Sequence, residues 1–125
     1  MFIVNPDLSI HITRGDIASI EVSAKKPDDE YYIFKIGDVV QFNVFEKKNC
    51  DNIVLQKDVM IAEESTTATI MLGTTDTRIG EMIHKPMDYW YEVVINPDTA
   101  PQTIVGYDSD GPKIFRLFPE GAATP

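Results

Sequence analysis

Hydrophobic and polar residues alternate along this chain with a period of two rather than the 3.6 of a helix. Ala18, Ile20, Val22 and Ala24 take turns with Ser19, Glu21 and Ser23, the pattern of a strand with one face packed and the other in water. The same period runs through 8–13, where Leu8, Ile10 and Ile12 are set against Ser9, His11 and Thr13. It returns over 39–46, with Val40, Phe42 and Val44 inward and Gln41 and Asn43 outward, and over 66–72, with Ala68, Ile70 and Leu72 inward. Turn residues separate these runs: Arg14-Gly15-Asp16, Gly37-Asp38, the cluster 47–52, which predicts a hairpin, and 62–65. In 53–61, Ile53, Leu55, Val59 and Ile61 share a parity with Lys57, which predicts a bulge or a change of sheet at Lys57. Residues 73–80 have room for one helical turn, capped by a Thr or Asp and ended by Gly80. Residues 102–107 and 113–118 read as a closing hairpin around Asp108-Ser109-Asp110-Gly111-Pro112.

The densest stretch is 85–97, Lys-Pro-Met-Asp-Tyr-Trp-Tyr-Glu-Val-Val-Ile-Asn-Pro. Aromatic and β-branched side chains suit a pleated, half-buried surface, and the flanking prolines mark where a ladder starts and stops. Tyr89, Tyr91, Val93 and Ile95 share one strongly apolar face; Trp90, Glu92 and Val94 share the other. This is the pattern of a central strand in a sandwich. The tally is about eight strands with no 3.6 period, which predicts an all-β, antiparallel β-sandwich. Its core should hold Ile20, Val22, Val40, Phe42, Val44, Ile70, Leu72, Tyr91 and Val93. The length predicts one domain over residues 1–125, with 119–125 fraying.

Composition narrows the function classes. A net charge of −9 with scattered Lys and Arg argues against nucleic acid, since phosphate contacts need clustered basic residues. No apolar run approaches a membrane span, and Met1-Phe2-Ile3-Val4 runs straight into Asn5-Pro6-Asp7 without a signal-peptide core. The lone Cys50 has no internal disulfide partner, which points to folding in a reducing cytoplasm.

Candidate chemistry is sparse. Arg14-Gly15-Asp16 spells an adhesion tripeptide, but it links two strands and its glycine suits a tight turn. Asp108-Ser109-Asp110-Gly111 looks like the start of a calcium loop, yet the twelfth position is Pro119 and the flanks are strands. His11 and His84 stand in no metal-ligand spacing with each other or with Cys50, and no Gly-x-Ser-x-Gly elbow is present. No catalytic residue and no cofactor are expected. The aromatic residues Tyr31, Tyr32, Phe34, Trp90, Tyr107, Phe115 and Phe118 are read mainly as core, with sugar stacking as the alternative for exposed ones. Trp90 and Val94 ask for a second apolar cover, and Asp108 and Asp110 sit on a predicted projecting turn. These four residues are the candidate interface.

Ile12-Thr13-Arg14-Gly15-Asp16, then Ile36-Gly37-Asp38-Val39-Val40-Gln41-Phe42-Asn43-Val44, then Asp88-Tyr89-Trp90-Tyr91-Glu92-Val93 resemble a group of small phage and prophage structural proteins. These in turn resemble the N-terminal domain of the baseplate upper protein of tailed phages of Gram-positive bacteria. Ile17 stands where that pattern has a threonine. The resemblance implies an immunoglobulin-like sandwich and a non-enzymatic virion subunit, made in the host bacterial cytoplasm and acting by assembly with itself or other virion proteins. The baseplate proteins continue into a fibre-like region that does not follow the last predicted strand here, so head, neck and fibre-attachment roles stay open beside the baseplate. The alternative is a carbohydrate-binding module for host-surface recognition.

Overall fold

The computed structural model describes residues 2–24, 30–49, 51–80, 84–99, 101–105 and 111–119. Among these the chain forms nine strands and one helical turn: β1 (Phe2–Val4), β2 (Ile10–Thr13), β3 (Ala18–Val22), β4 (Val39–Lys47), β5 (Asp51–Met60), β6 (Ala68–Leu72), α1 (Thr74–Thr77), β7 (Met87–Ile95), β8 (Gln102–Val105) and β9 (Lys113–Phe118). Seven strands make one sheet in the order β1-β2-β9-β7-β4-β5, with β8 also on β7; β3 and β6 pair antiparallel as a separate two-stranded sheet. The result is an all-β, sandwich-like fold with two unequal layers.

The inner face of the large sheet carries Ile10 and Ile12 from β2, Phe115 and Leu117 from β9, Tyr89, Tyr91, Val93 and Ile95 from β7, and Val40, Phe42 and Val44 from β4. Ala18, Ile20 and Val22 of β3 and Ala68, Ile70 and Leu72 of β6 cover it, with Ser19, Glu21, Thr69 and Met71 exposed on their far side. All nine residues expected in the core are there. Phe42 packs at 5.2 Å from Tyr91 and 6.2 Å from Phe115, ring centre to ring centre, the first pair tilted and the second in the edge-on arrangement that aromatic quadrupoles favour. Phe34, Ile61 and Ile79, from segments outside the strands, complete the cover.

Four expectations change. The sheet is not purely antiparallel, because β2 runs parallel to β9, Ile10 opposite Phe115 and Thr13 opposite Phe118. The closing hairpin is also absent. Both β8 and β9 lie antiparallel to β7, β8 along Val93–Ile95 and β9 along Met87–Tyr91. They are two lengths of one interrupted strand along β7. Leu8 leaves its predicted strand: it adopts φ 72° in the turn before β2 and is 43% exposed. Finally, Lys57 sits in regular pairing opposite Phe42, and the bulge falls at Val54, where Val44 pairs with Leu55 but Phe45 with Ile53.

That last correction has an electrostatic reason. Opposite Phe42, Lys57 is on the inner face of β5, the edge strand of the large sheet. Its ammonium meets Asp76 at 2.9 Å. Asp76 also accepts the Gly73 backbone N–H at 2.7 Å, closing the first turn of α1. An inward-pointing charge on an edge strand discourages pairing with another chain, and here the helix turn satisfies it. The Gly73 N–H, followed by Lys57, holds the Asp76 carboxyl below its ordinary value.

A second latch fixes the end of β4. Burial pushes the Asp38 carboxyl up, but donors outweigh it and leave its pKa lowered. These are the Lys35 N–H at 2.9 Å, the Tyr32 hydroxyl at 2.7 Å and the Asn96 amide at 3.2 Å. Asn96, at φ 50°, also accepts the Val39 N–H through its side chain at 2.9 Å.

Two outcomes are expected in urea unfolding. Tyr91→Ala, a large-to-small change at a fully packed site, should cost about 3–5 kcal/mol, and Trp90→Ala, half-buried on the other face, less. A depressed carboxylate adds stability that is present above its unfolded value of 3.8 and lost as pH falls through the lower folded value. The unfolding midpoint should therefore hold from neutral pH down to that range and then drop, with a shallower drop in Asp76→Asn and Asp38→Asn.

Candidate functional site

The outer face of the large sheet is ordered in rows that cross the strands. One row is apolar: Ile53, Phe45, Trp90 and Ile114 follow one another across β5, β4, β7 and β9 as direct cross-strand partners. On one side lies an amide row, in which Gln56 donates to Asn43 at 3.0 Å and Asn43 to Gln41 at 3.1 Å. Gln41 in turn donates to Asp58 at 3.0 Å. This chain explains why Asn43, expected outward, tolerates 4% exposure: its amide is satisfied by neighbours at the same level of the sheet. On the other side lies a charged row, where Asp88 takes Arg116 at 2.6 and 3.2 Å and His11 stands opposite Arg116 on β2. Arg116 holds the Asp88 carboxyl below its ordinary range.

The turn 5–9 rises beside these rows. The Asp7 carboxylate accepts both the Ser9 hydroxyl at 2.6 Å and the Ser9 N–H at 3.0 Å, which lower its pKa in that order. The Asn5 amide donates to the Ser9 hydroxyl at 3.1 Å. The turn is fixed from beneath by Tyr91, whose hydroxyl donates to the Leu8 backbone carbonyl. Burial pushes that phenol well above its usual value, so it stays a donor. A tyrosine bound to a backbone carbonyl resembles the corner of immunoglobulin domains, but the acceptor here lies 83 residues earlier, not a few.

Between the turn and the sheet run two adjoining hollows. One, of about 210 Å³, has Trp90 and Ile114 beneath it, Asp7 and Ser9 on one bank and Lys48 and Lys113 at its rim. The other, of about 520 Å³, extends past Ile114 to His11 and Arg116. They share Asp7, Ser9 and Ile114 and form one trough.

The candidate interface residues are placed differently from one another. Trp90 is half-buried and faces the trough. Val94 is only 9% exposed, so the chain itself already provides most of the cover it was expected to need. Asp108 and Asp110 lie outside the described residues, as does Tyr107. Phe34 and Phe115 are core, fully buried, whereas Tyr31 is 54% exposed. Sequence reasoning missed Phe45, Ile114, Asp7 and Ser9. Phe45 and Ile114 did carry a signal, since both are apolar and out of phase with the inward set. Among the described residues no group of three or more His, Cys, Asp or Glu is placed to hold a metal ion, and no helix is long and apolar enough to cross a membrane.

The Arg14-Gly15-Asp16 turn is bound into the body of the protein. Thr77, fully buried, accepts the Gly15 N–H at 3.0 Å and donates to the Asp16 carbonyl at 2.8 Å, and Arg14 donates to the Gly80 carbonyl at 2.9 Å. Thr77→Val keeps the shape but removes both of these bonds to the Arg14-Gly15-Asp16 turn. It should cost about 1–3 kcal/mol in chemical denaturation, while the exposed Thr67→Val should stay within about 0.5 kcal/mol of the parent.

No family model, no characterised protein sequence and no solved structure matches this chain.

Proposed function

We propose that the protein is a non-enzymatic structural subunit that works by assembly with further copies of itself or with other virion proteins. The motif resemblance to small phage and prophage structural proteins, and through them to the N-terminal domain of the baseplate upper protein, is the ground for placing it in a virion. In this reading it carries no cofactor and contacts neither nucleic acid nor membrane. An immunoglobulin-like sandwich belongs to the same reading. Two packed sheets and a tyrosine-to-backbone bond support it; the seven-and-two division and the parallel β2–β9 pair depart from that fold's two near-equal antiparallel sheets.

The observation that carries assembly is the contrast between the edges. β5 is guarded by Lys57, Asp58 and a bulge, and β1 is three residues long. β3 is five residues long, has a hydrogen-bonded strand on one side only among the described residues, and contains no lysine, proline or bulge. Unprotected edges are where another chain adds a strand. Beside it, on the outer face of the same layer, Ile17 is 71% and Met71 60% exposed.

Light scattering over a range of protein concentrations, alone and with purified phage structural proteins, tests this. Association that disappears in Ile17→Lys, without loss of folding stability, is the expected result. A strict monomer that binds none of the added proteins would overturn the reading.

A further inference from the structure

We propose that the trough over Trp90 and Ile114 is a saccharide-binding site. In it the indole takes the C–H face of one pyranose ring, while Asp7, Lys48 and the His11–Arg116 end of the trough bond its hydroxyls.

The argument rests on how the outer face is divided. Its apolar row ends at Trp90 and Ile114, which are direct partners across β7 and β9, and it is bordered on one side by the charged row of Arg116 and His11. A ligand lying there meets an apolar floor one row wide with polar groups beside it. A purely apolar ligand would strip water from Asp7, Lys48 and Arg116 without replacing its hydrogen bonds, and that is costly. A simple anion would meet the Asp7 carboxylate, and a metal ion would find only that one carboxylate among the lining residues. A sugar ring presents both surfaces at once, axial C–H groups on a face and hydroxyls around the edge. Its hydroxyls donate to Asp7 and accept from Lys48.

The site is also built rather than incidental. Ser9 donates twice to Oδ1 of Asp7, which holds the carboxylate of this trough-lining residue in one orientation. The turn that carries both residues is anchored through Leu8 to the core residue Tyr91. Preorganised acceptors lose little entropy when they bind. The first hollow, of about 210 Å³, lies below the ~300 Å³ of ordinary small-molecule pockets and suits one ring; the second, of about 520 Å³, admits the next unit of a chain.

This site is separate from the β3 edge and independent of the assembly reading. Trp90 is the only tryptophan in the chain, so its emission reports on the trough alone. The full chain is titrated with glucose, galactose, N-acetylglucosamine and their dimers and trimers, following fluorescence and, for variants, calorimetry. A saturable change in emission with at least one of them is expected, with affinity weakened about tenfold or more in Lys48→Ala and in Trp90→Phe and unchanged in Ile17→Lys. No saturable change with any of these sugars would overturn the proposal, as would binding that survives both trough substitutions. Loss of association in light scattering would bear only on the assembly reading.

Discussion

A seven-stranded sheet covered by a two-stranded one leaves its margins uncovered, and much of the structure answers that constraint. β3 and β6 bring Ala18, Ile20, Val22, Ala68, Ile70 and Leu72 over the inner face. At the β5 margin Leu55 and Val59 still pack against the core, and Lys57 between them is neutralised by Asp76 of the helix turn. Elsewhere Phe34, Ile61 and Ile79 fill in from loops. Phe34 is held by a two-way backbone bridge to Ser65, 2.8 and 3.3 Å, so a segment without strand structure still has its polar groups paired.

The polar groups that do this work act in short, closed sets. Thr77 links the Arg14-Gly15-Asp16 turn to α1, and Asp38 links Tyr32, Lys35 and Asn96. Tyr91 links the core to the turn 5–9. Each joins segments far apart in the chain, and each satisfies backbone groups that the sheet ladders cannot reach. The turn 5–9 shows how such a set positions function: a core tyrosine fixes Leu8, and the next residues on either side, Asp7 and Ser9, form a bank of the trough.

The outer face follows a different logic. Its rows keep like with like: amides beside amides, Asp88 beside Arg116, Trp90 beside Ile114. Cross-strand partners are the nearest neighbours on a sheet, so this sorting stabilises the register as well as dividing the surface chemically. Phe45, 3% exposed although it faces away from the main core, lies within the apolar row between Ile53 and Trp90.

Local alternation by itself determined most of the strands and the nine core residues, because a period of two with one buried face admits one assignment of side chains to sides. It left room for one helical turn within 73–80, which forms over 74–77 with Gly73 rather than a Thr or Asp as its N-cap and Arg78 rather than Gly80 at its end, and it read the Arg14-Gly15-Asp16 stretch as a turn between two strands. Partner choice was decided only in three dimensions. Nothing local says that β2 will run parallel to β9, that β8 and β9 will share one edge of β7, or that β1 exists as three residues against β2. The same holds for Lys57, whose parity made it look like an irregularity until the edge position of β5 and the arrival of Asp76 from 19 residues later gave it a partner. The trough is the furthest case: Trp90 was visible in the sequence, but Asp7, Lys48 and Ile114 come from three other segments. Their meeting depends on strand order, which hydrophobic periodicity does not encode.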